Sequence, residues 1–234
     1  MDYLNNFFFG IYPYIALSIF FVGSWIRFDR EQYSWKADSS QLMSGKNMVL
    51  ASNLFHVGII GIFFGHFVGL LAPHALWEAI ELSMLGKQYI AMYGGGILGL
   101  LCLIGGSILL VRRLFNPRVR ATSRTSDNFI LIWLMITLLL GLATTVVSAG
   151  HAAHGNADVM MTLASWAKSV VLFAPQPELV FQTEAIFRWH LVFGMTIFVV
   201  FPFTRLVHVW SFPFGYAVRA YQIVRTKSRQ HVGI

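Results

Sequence analysis

Charged residues are scarce in this sequence. Asp, Glu, Lys and Arg make up 12% of the 234 residues, whereas hydrophobic residues make up 56%. A soluble globular domain carries about 25% charged residues. The composition therefore argues against a soluble domain and predicts a protein that crosses the membrane several times, with lipid as its surroundings.

Cysteine is nearly absent as well. The one cysteine, Cys102, lies within an apolar run. The chain can therefore form no disulfide framework within itself, and it cannot ligate an iron–sulfur cluster through its own cysteines. Any redox centre in this protein must be held by other side chains.

Five apolar runs are long enough to cross a hydrocarbon layer of about 30 Å as helices. They predict an all-α polytopic bundle that forms a single integral membrane domain over residues 1–234. The longest connection, 148–184, is expected to hold a short interfacial helix near 159–173 followed by a loop. The predicted spans cover about residues 5–26, 48–72, 87–111, 128–147 and 185–210.

The basic residues are distributed unevenly between the two sides of these spans. Fourteen of the 17 lie in the first and third connections or from Arg205 onward, and only Lys87, Lys168 and Arg188 lie on the other side. Because Lys and Arg collect on the cytoplasmic side, we predict an outer N-terminus and a cytoplasmic tail at 211–234 that contacts partners. The net charge of +7 is explained by this topology, and no nucleic-acid partner is expected.

The second span carries two histidines, His56 and His66, in a run without Asp, Glu, Lys or Arg. On an ideal helix they are separated by about 15 Å along the axis and about 80° around it. An ionisable side chain inside a span is costly unless it faces a partner, and imidazole is a common axial ligand of haem iron. Helix-packing hydrogen bonds are the alternative role for an isolated histidine.

The fifth span carries two further histidines, His190 and His208. Eighteen residues correspond to about five turns, so both lie on one face about 27 Å apart. Two b-type haems, each held between one histidine of each span, would use all four imidazoles. The two spacings differ, and we expect tilt and a kink at Pro202 to absorb part of the difference.

The predicted topology also decides how the four histidines pair. The second span runs outward and the fifth inward, so His56 and His208 share the cytoplasmic half while His66 and His190 share the outer half. The opposite pairing would require ligands from opposite leaflets.

Four stretches of the sequence are informative about its family: NNFFFGIYPYIALSIFFVGSWIRFD, ASNLFHVGIIGIFFGHFVGLLAPH, RRLFNPRVRAT and FRWHLVFGMTIFVVFPFTRLVHVW. They resemble the gamma subunit (cytochrome b) of respiratory nitrate reductase. The resemblance implies a dihaem quinol dehydrogenase of the bacterial inner membrane, with His66 and His190 at a distal haem b and His56 and His208 at a proximal one. It also implies two cytoplasmic partners, an iron–sulfur beta subunit and a molybdenum-containing alpha subunit that reduces nitrate.

The resemblance implies a direction of electron transfer too. Menaquinol or ubiquinol would be oxidised near the outer face, its protons would leave outside, and its electrons would pass inward to the partners. Lys87 and Gly65 are expected at the quinol site, where the ammonium could hydrogen-bond a quinone oxygen or a haem propionate. The alternative is an interfacial lysine that snorkels to water, with glycines that serve helix packing.

Arginines near the cytoplasmic rim are candidates for binding haem propionates, because guanidinium pairs with carboxylate in a bidentate geometry. Arg205, one turn before His208, is the first candidate and Arg112 the second, with Arg113 beside it. Positive-inside anchoring is the alternative for most of them. No role is expected for the loop and tail histidines, which are His74, His151, His154 and His231.

Three other classes of function share some of these features. A haem b subunit of a membrane formate dehydrogenase or of a heterodisulfide-reductase-like complex would use the same histidine chemistry with different partners. A histidine-relay transporter would usually carry acidic partners inside its spans, and essentially none occur here. A passive anchor would need no buried histidines.

Overall fold

The computed structural model describes residues 2–31 and 46–211, and within these ranges the chain is helical and contains no strand. The predicted all-α architecture is therefore confirmed. The α-helices are α1 (Asp2–Asn6), α2 (Tyr12–Arg30), α3 (Lys46–Leu71), α4 (His74–Ala79), α5 (Met84–Phe115), α6 (Pro117–Thr122), α7 (Thr125–Ala153), α8 (Asp158–Val171), α9 (Glu178–Phe181) and α10 (Ala185–Val200). A π-helical turn (Phe7–Ile11) joins α1 to α2, and 3₁₀ turns (Phe201–Phe203 and Arg205–Ser211) follow α10.

Five of the helical segments in the described ranges are long and apolar enough to cross a membrane. They agree in number and order with the five predicted spans, although several extend beyond the predicted ends. The segments are Tyr3–Arg30, Asn47–Leu71, Met84–Phe115, Thr125–Ala153 and Ala185–Phe203. The interfacial helix expected near 159–173 corresponds to α8.

Glycines bring α3 and α5 into close contact. A Cβ on Gly58 would lie 2.6 Å from the Leu98 carbonyl oxygen, and one on Gly105 would lie 2.5 Å from the Phe55 backbone nitrogen. Only a residue without a side chain allows the two backbones to approach this closely. These glycines of the second and third spans therefore serve helix packing.

The π-helical turn Phe7–Ile11, α8, α9 and α10 share a buried core. It contains Phe9, Trp166, Val180 and Met195, and the Trp166 indole donates a 2.9 Å hydrogen bond to the Phe9 carbonyl oxygen. A buried indole N–H needs such a partner. The long connection between the fourth and fifth spans is thus anchored to the first span.

The predicted continuous fifth span, 185–210, is wrong in its last third. The α-helix ends at Val200, and a short 3₁₀ turn at Phe201–Phe203 is followed by a second one at Arg205–Ser211. Pro202 has no backbone N–H and cannot continue the helical hydrogen bonds, so the expected kink is a complete break. His208 consequently lies on a 3₁₀ turn rather than on the helix that carries His190.

The proposed partner-contacting tail lies outside the described residues, apart from Ser211 at its start. His231 and the tail arginines belong to that part, and most of the first connection, 32–45, is likewise outside the description.

Candidate functional site

The four histidines of the second and fifth spans form two facing pairs. The ring centroids of His66 and His190 are 5.9 Å apart, and those of His56 and His208 are 6.4 Å apart. The pairs are the ones that the topology predicts, although the two spans bear their histidines at unequal spacing. Both pairs can form despite the unequal spacing because α10 ends at Val200 and His208 lies on a separate 3₁₀ turn.

All four imidazoles are oriented by backbone carbonyls. Nδ1 of His56 lies 2.7 Å from the Ser52 oxygen, Nδ1 of His66 lies 2.9 Å from the Ile62 oxygen, and Nδ1 of His190 lies 3.2 Å from the Thr137 oxygen. His208 makes the same contact with the Arg205 oxygen. A carbonyl only accepts, so Nδ1 carries the proton in each ring and Nε2 presents its lone pair.

This hydrogen-bonding pattern is the one that metal-bound histidines use, since the second ring nitrogen is usually held by a carbonyl or carboxylate. Within the described part of the chain, Nε2 of these four rings has no hydrogen-bond partner. The donor set of each pair is therefore suited to a metal that is approached from two sides by neutral imidazoles.

The spacing of the pairs also fits one iron between two imidazoles. Zinc-bound imidazole nitrogens lie about 2.0–2.1 Å from the metal, so two rings on opposite sides of a similar metal would have centroids about 6.3 Å apart. The observed separations are 5.9 and 6.4 Å. No group of three or more His, Cys, Asp or Glu suited to a metal occurs in the described residues, so the metal would have to bring its other ligands, as a porphyrin does.

Open space flanks both histidine-bearing faces. A Cβ on Gly65 or Gly69 of α3, or on Gly194 of α10, would have no heavy atom within 4 Å. Gly61, one turn before Gly65, instead packs on Leu98, whose Cδ2 would lie 2.7 Å from such a Cβ. The open space on α3 therefore lies beside Gly65 and Gly69, on either side of His66 in the sequence.

Lys87 lies in the first turn of α5 and is buried, with 6% of its surface exposed. Its ammonium stands over the Trp77 ring, 4.8 Å from the centroid. The Trp77 indole nitrogen is buried and has no hydrogen-bond partner among the described residues. An interfacial lysine that snorkels to water would be exposed, and this burial argues against that alternative. The contribution of Trp77 was missed, because its distance from Lys87 is set by the α4–α5 turn.

Two of the candidate arginines lie beside one buried carboxylate, that of Asp127. Asp127 Oδ2 lies 3.5 Å from Arg113 Nη1, and Asp127 Oδ1 lies 3.9 Å from Arg205 Nε. Arg112 lies in the last turn of α5 beside Arg113. Asp127 was not among the residues predicted from the sequence, although an acidic residue in the first turn of a span is a recognisable helix N-terminal signal.

His151 and His154, expected in a loop, instead lie in the last turn of α7 and at its C-cap, because α7 extends beyond the predicted end of the fourth span. His151 Nε2 lies 2.8 Å from Glu184 Oε1, and His154 Nδ1 lies 2.9 Å from the Gly150 oxygen. The structure does not turn them towards a common metal. His74 belongs to α4, outside the helices that bear the two histidine pairs.

The sequence matches the family described as the nitrate reductase gamma subunit over residues 5–227. It is 53% identical to the respiratory nitrate reductase 1 gamma chain of Escherichia coli strain K12, over 97% of this chain and 100% of that protein. It is 36% identical to the nitrate reductase gamma chain of Bacillus subtilis strain 168, over 94% of this chain and 97% of that protein.

These matches favour the nitrate reductase family over the other classes of function that share features of the sequence. The family name and both relatives point to nitrate reductase rather than to a formate dehydrogenase subunit or a transporter. Together with the five helices long enough to span a membrane, they confirm the family that the four stretches of sequence resemble. The chain belongs to the nitrate reductase gamma subunit family and is the membrane-spanning subunit of a multi-subunit respiratory enzyme.

Proposed function

We propose that this chain is a dihaem cytochrome b that oxidises quinol near the outer membrane face and passes the electrons to cytoplasmic nitrate reductase subunits. The observation that carries the proposal is the pair of facing imidazole sites, with centroids 5.9 and 6.4 Å apart and Nε2 atoms available as ligands. A passive anchor needs neither site.

Two haems b, when bound, supply one-electron carriers between a two-electron donor and the iron–sulfur partner. His66 and His190 hold the distal group, and His56 and His208 hold the proximal one. The carbonyls of Ser52, Ile62, Thr137 and Arg205 hold each ring in the ligating tautomer.

The rim arginines complete the proximal site in this proposal. Arg205 and Arg112 provide positive charge for the carboxylates of the porphyrin at the cytoplasmic end. The contact of Arg205 with Asp127 supports this role, because a buried carboxylate holds the guanidinium beside the turn that carries His208.

Lys87 and Gly65 define the quinol site in this proposal. The buried ammonium of Lys87 donates to a quinol or quinone oxygen, and Gly65 leaves room beside His66 for the ring. Burial strengthens such a charge-assisted hydrogen bond, since water does not compete for the oxygen. The contact with Trp77 restricts the positions that the ammonium can take. Either menaquinol or ubiquinol presents the required pair of oxygens.

The proposed membrane orientation of the chain couples quinol oxidation to charge separation across the membrane. With the N-terminus outside, Lys87 lies at the outer end of α5 and Arg205 at the cytoplasmic end of the fifth span. Protons from quinol leave outside while electrons move inward. Separation of one charge across the membrane stores about 2.3 kcal/mol per 100 mV. The relatives named as gamma chains support cytoplasmic alpha and beta partners, and the tail 211–234 is the segment assigned to them.

A reduced-minus-oxidised spectrum of the complex purified from the bacterial inner membrane tests the proposal. We expect a b-type signal of two haems per gamma subunit, reducible by added quinol and reoxidised by nitrate when the partners are present. A complex that carries this chain but shows no b-type absorption would refute the proposal.

A further inference from the structure

The turn that carries His208 begins at a helix break that needs outside support. Pro202 provides no N–H, so the chain after Val200 cannot follow α-helical hydrogen bonding, and carbonyls near the break lose their usual donors. Pro202 and Thr204 are nevertheless buried. Buried carbonyls require partners, and these partners come from another span.

The partner is Arg27, in the last turn of α2. Its Nη1 donates to the carbonyl oxygens of Pro202 at 2.7 Å and of Thr204 at 2.8 Å. One guanidinium nitrogen thus bridges both sides of the break, across a sequence separation of 175 residues or more. Charge-assisted hydrogen bonds of this kind are stronger than neutral ones, particularly where water is excluded.

Gly23 allows this approach. It lies one turn before Arg27, and a Cβ at this position would be 2.8 Å from Pro202 Cγ. The first span therefore contacts the break twice, through the ring of Pro202 and through the two carbonyls. Any larger residue at Gly23 would push α2 away from the break.

The Thr204 carbonyl that Arg27 binds is only four residues before His208 in the chain. Arg205 follows Thr204 directly, and the Arg205 oxygen accepts the hydrogen bond from His208 Nδ1. Restraining Thr204 restrains the peptide that orients the His208 ring. His190 is oriented differently, by a hydrogen bond to the Thr137 oxygen of α7. Both carbonyls that Arg27 binds come after α10, the helix that carries His190.

From this geometry we propose that Arg27 is the positioning residue for His208. The first span supplies none of the four paired histidines, yet it sets the axial ligand of the proximal site by holding the carbonyls of Pro202 and Thr204. The proposal rests on the proposed ligation of haem by His56 and His208. It predicts that the two haems respond differently to the loss of one arginine.

The test is Arg27→Met, which keeps an unbranched chain in place of the arginine stem and removes its donors, in the full complex in membranes. Arg30→Met is the matched control, because Arg30 is exposed in the same last turn of α2 and its loss changes the charge equally. Electron paramagnetic resonance and a redox titration report each haem separately, so the distal haem is an internal control for folding.

We expect Arg27→Met to shift the resonance position and the midpoint potential of the proximal haem while the distal haem keeps both. Arg27→Lys should show a smaller shift than Arg27→Met, since an ammonium can still donate to both carbonyls but lacks the planar guanidinium. Gly23→Val should reproduce the selective shift while Arg27 is intact, because it moves α2 from Pro202.

Three results would overturn the inference about Arg27. The first is an unchanged proximal signal in Arg27→Met, and the second is an equal change or joint loss of both haems, which would show a general role in stability. The third is a response of the same size in Arg30→Met. A parent complex that lacks two b-type haems would instead refute the proposed function, so the two failures are distinguishable.

Discussion

Gly141 lies directly against the imidazole of His190. A Cβ at Gly141 would be 2.9 Å from His190 Cε1, and Thr137, one turn earlier on the same face of α7, accepts the hydrogen bond from His190 Nδ1. The fourth span, which carries none of the paired histidines, therefore packs against His190 and orients its ring. Because Gly141 has no Cβ, the His190 ring can lie directly against α7.

Replacing Gly141 with alanine should therefore displace His190. The added methyl group is too close to the ring, and overpacking of this kind costs about 1–3 kcal/mol. We expect the distal haem to lose affinity or change its low-spin resonance, while the proximal haem is unaffected. Spectral titration of haem content in the assembled complex measures the effect.

Gly150→Ala is the matched control in the same helix, since a Cβ there would have no heavy atom within 4 Å. Alanine has the higher helix propensity by roughly 0.8–1.0 kcal/mol, so this variant should retain both haems. An equal loss in both variants would show that the effect is general to α7.

Single His→Ala variants of the four paired histidines should fall into two groups. Losing His66 or His190 should remove the distal low-spin signal and block electron entry from quinol. Losing His56 or His208 should remove the proximal signal and block exit to the partner, while the distal haem stays reducible. Redox titration with electron paramagnetic resonance gives the grouping, and groups of His56 with His190 and His66 with His208 would refute the scheme.

Lys87→Ala should slow quinol oxidation without loss of either haem, because no axial ligand is removed. A hydrogen bond to a charged group contributes about 1.5–3 kcal/mol, which corresponds to a drop in kcat/KM of about 10- to 150-fold. Lys168→Ala removes the same charge from the outer side and serves as the control. Quinol turnover equal to the parent in Lys87→Ala would exclude Lys87 from the quinol site.

Trp77→Leu should have a smaller effect in the same direction as Lys87→Ala. Leucine fills much of the space but removes the ring face beneath the ammonium, and a cation–π contact contributes roughly 0.5–2 kcal/mol. We expect a decrease in kcat/KM for quinol of about 2- to 30-fold, with unchanged haem spectra. An altered distal spectrum would instead assign Trp77 to haem packing.

The distribution of basic residues predicts the orientation directly. A reporter fused after Ile234 should be cytoplasmic, and a tag placed before Asp2 should be accessible from outside, since 14 of 17 Lys and Arg lie on the proposed inner side. Protease protection in right-side-out and inverted vesicles distinguishes the two ends. A tail cleaved only from the outer side would overturn the orientation and the direction of proton release.

Composition and periodicity determined the class of this protein. Long runs without charge admit only helices that satisfy their own backbone hydrogen bonds in lipid, so the five spans and their order followed from the sequence. The histidines were conspicuous for the same reason, because an imidazole in an apolar run needs a partner. The resemblance of four stretches to one family supplied the identity of the enzyme, which no composition argument could reach.

Tertiary structure decided what depends on contacts between distant spans. The sequence predicted a kink at Pro202. A complete break also needs a donor for the carbonyls of Pro202 and Thr204, and that donor is Arg27 of the first span. Gly61 and Gly65 share one helix, yet only the neighbours from α5 make the first a packing residue and leave the second beside open space. Local sequence fixes a side chain's chemistry, whereas its neighbours are fixed only when the helices pack.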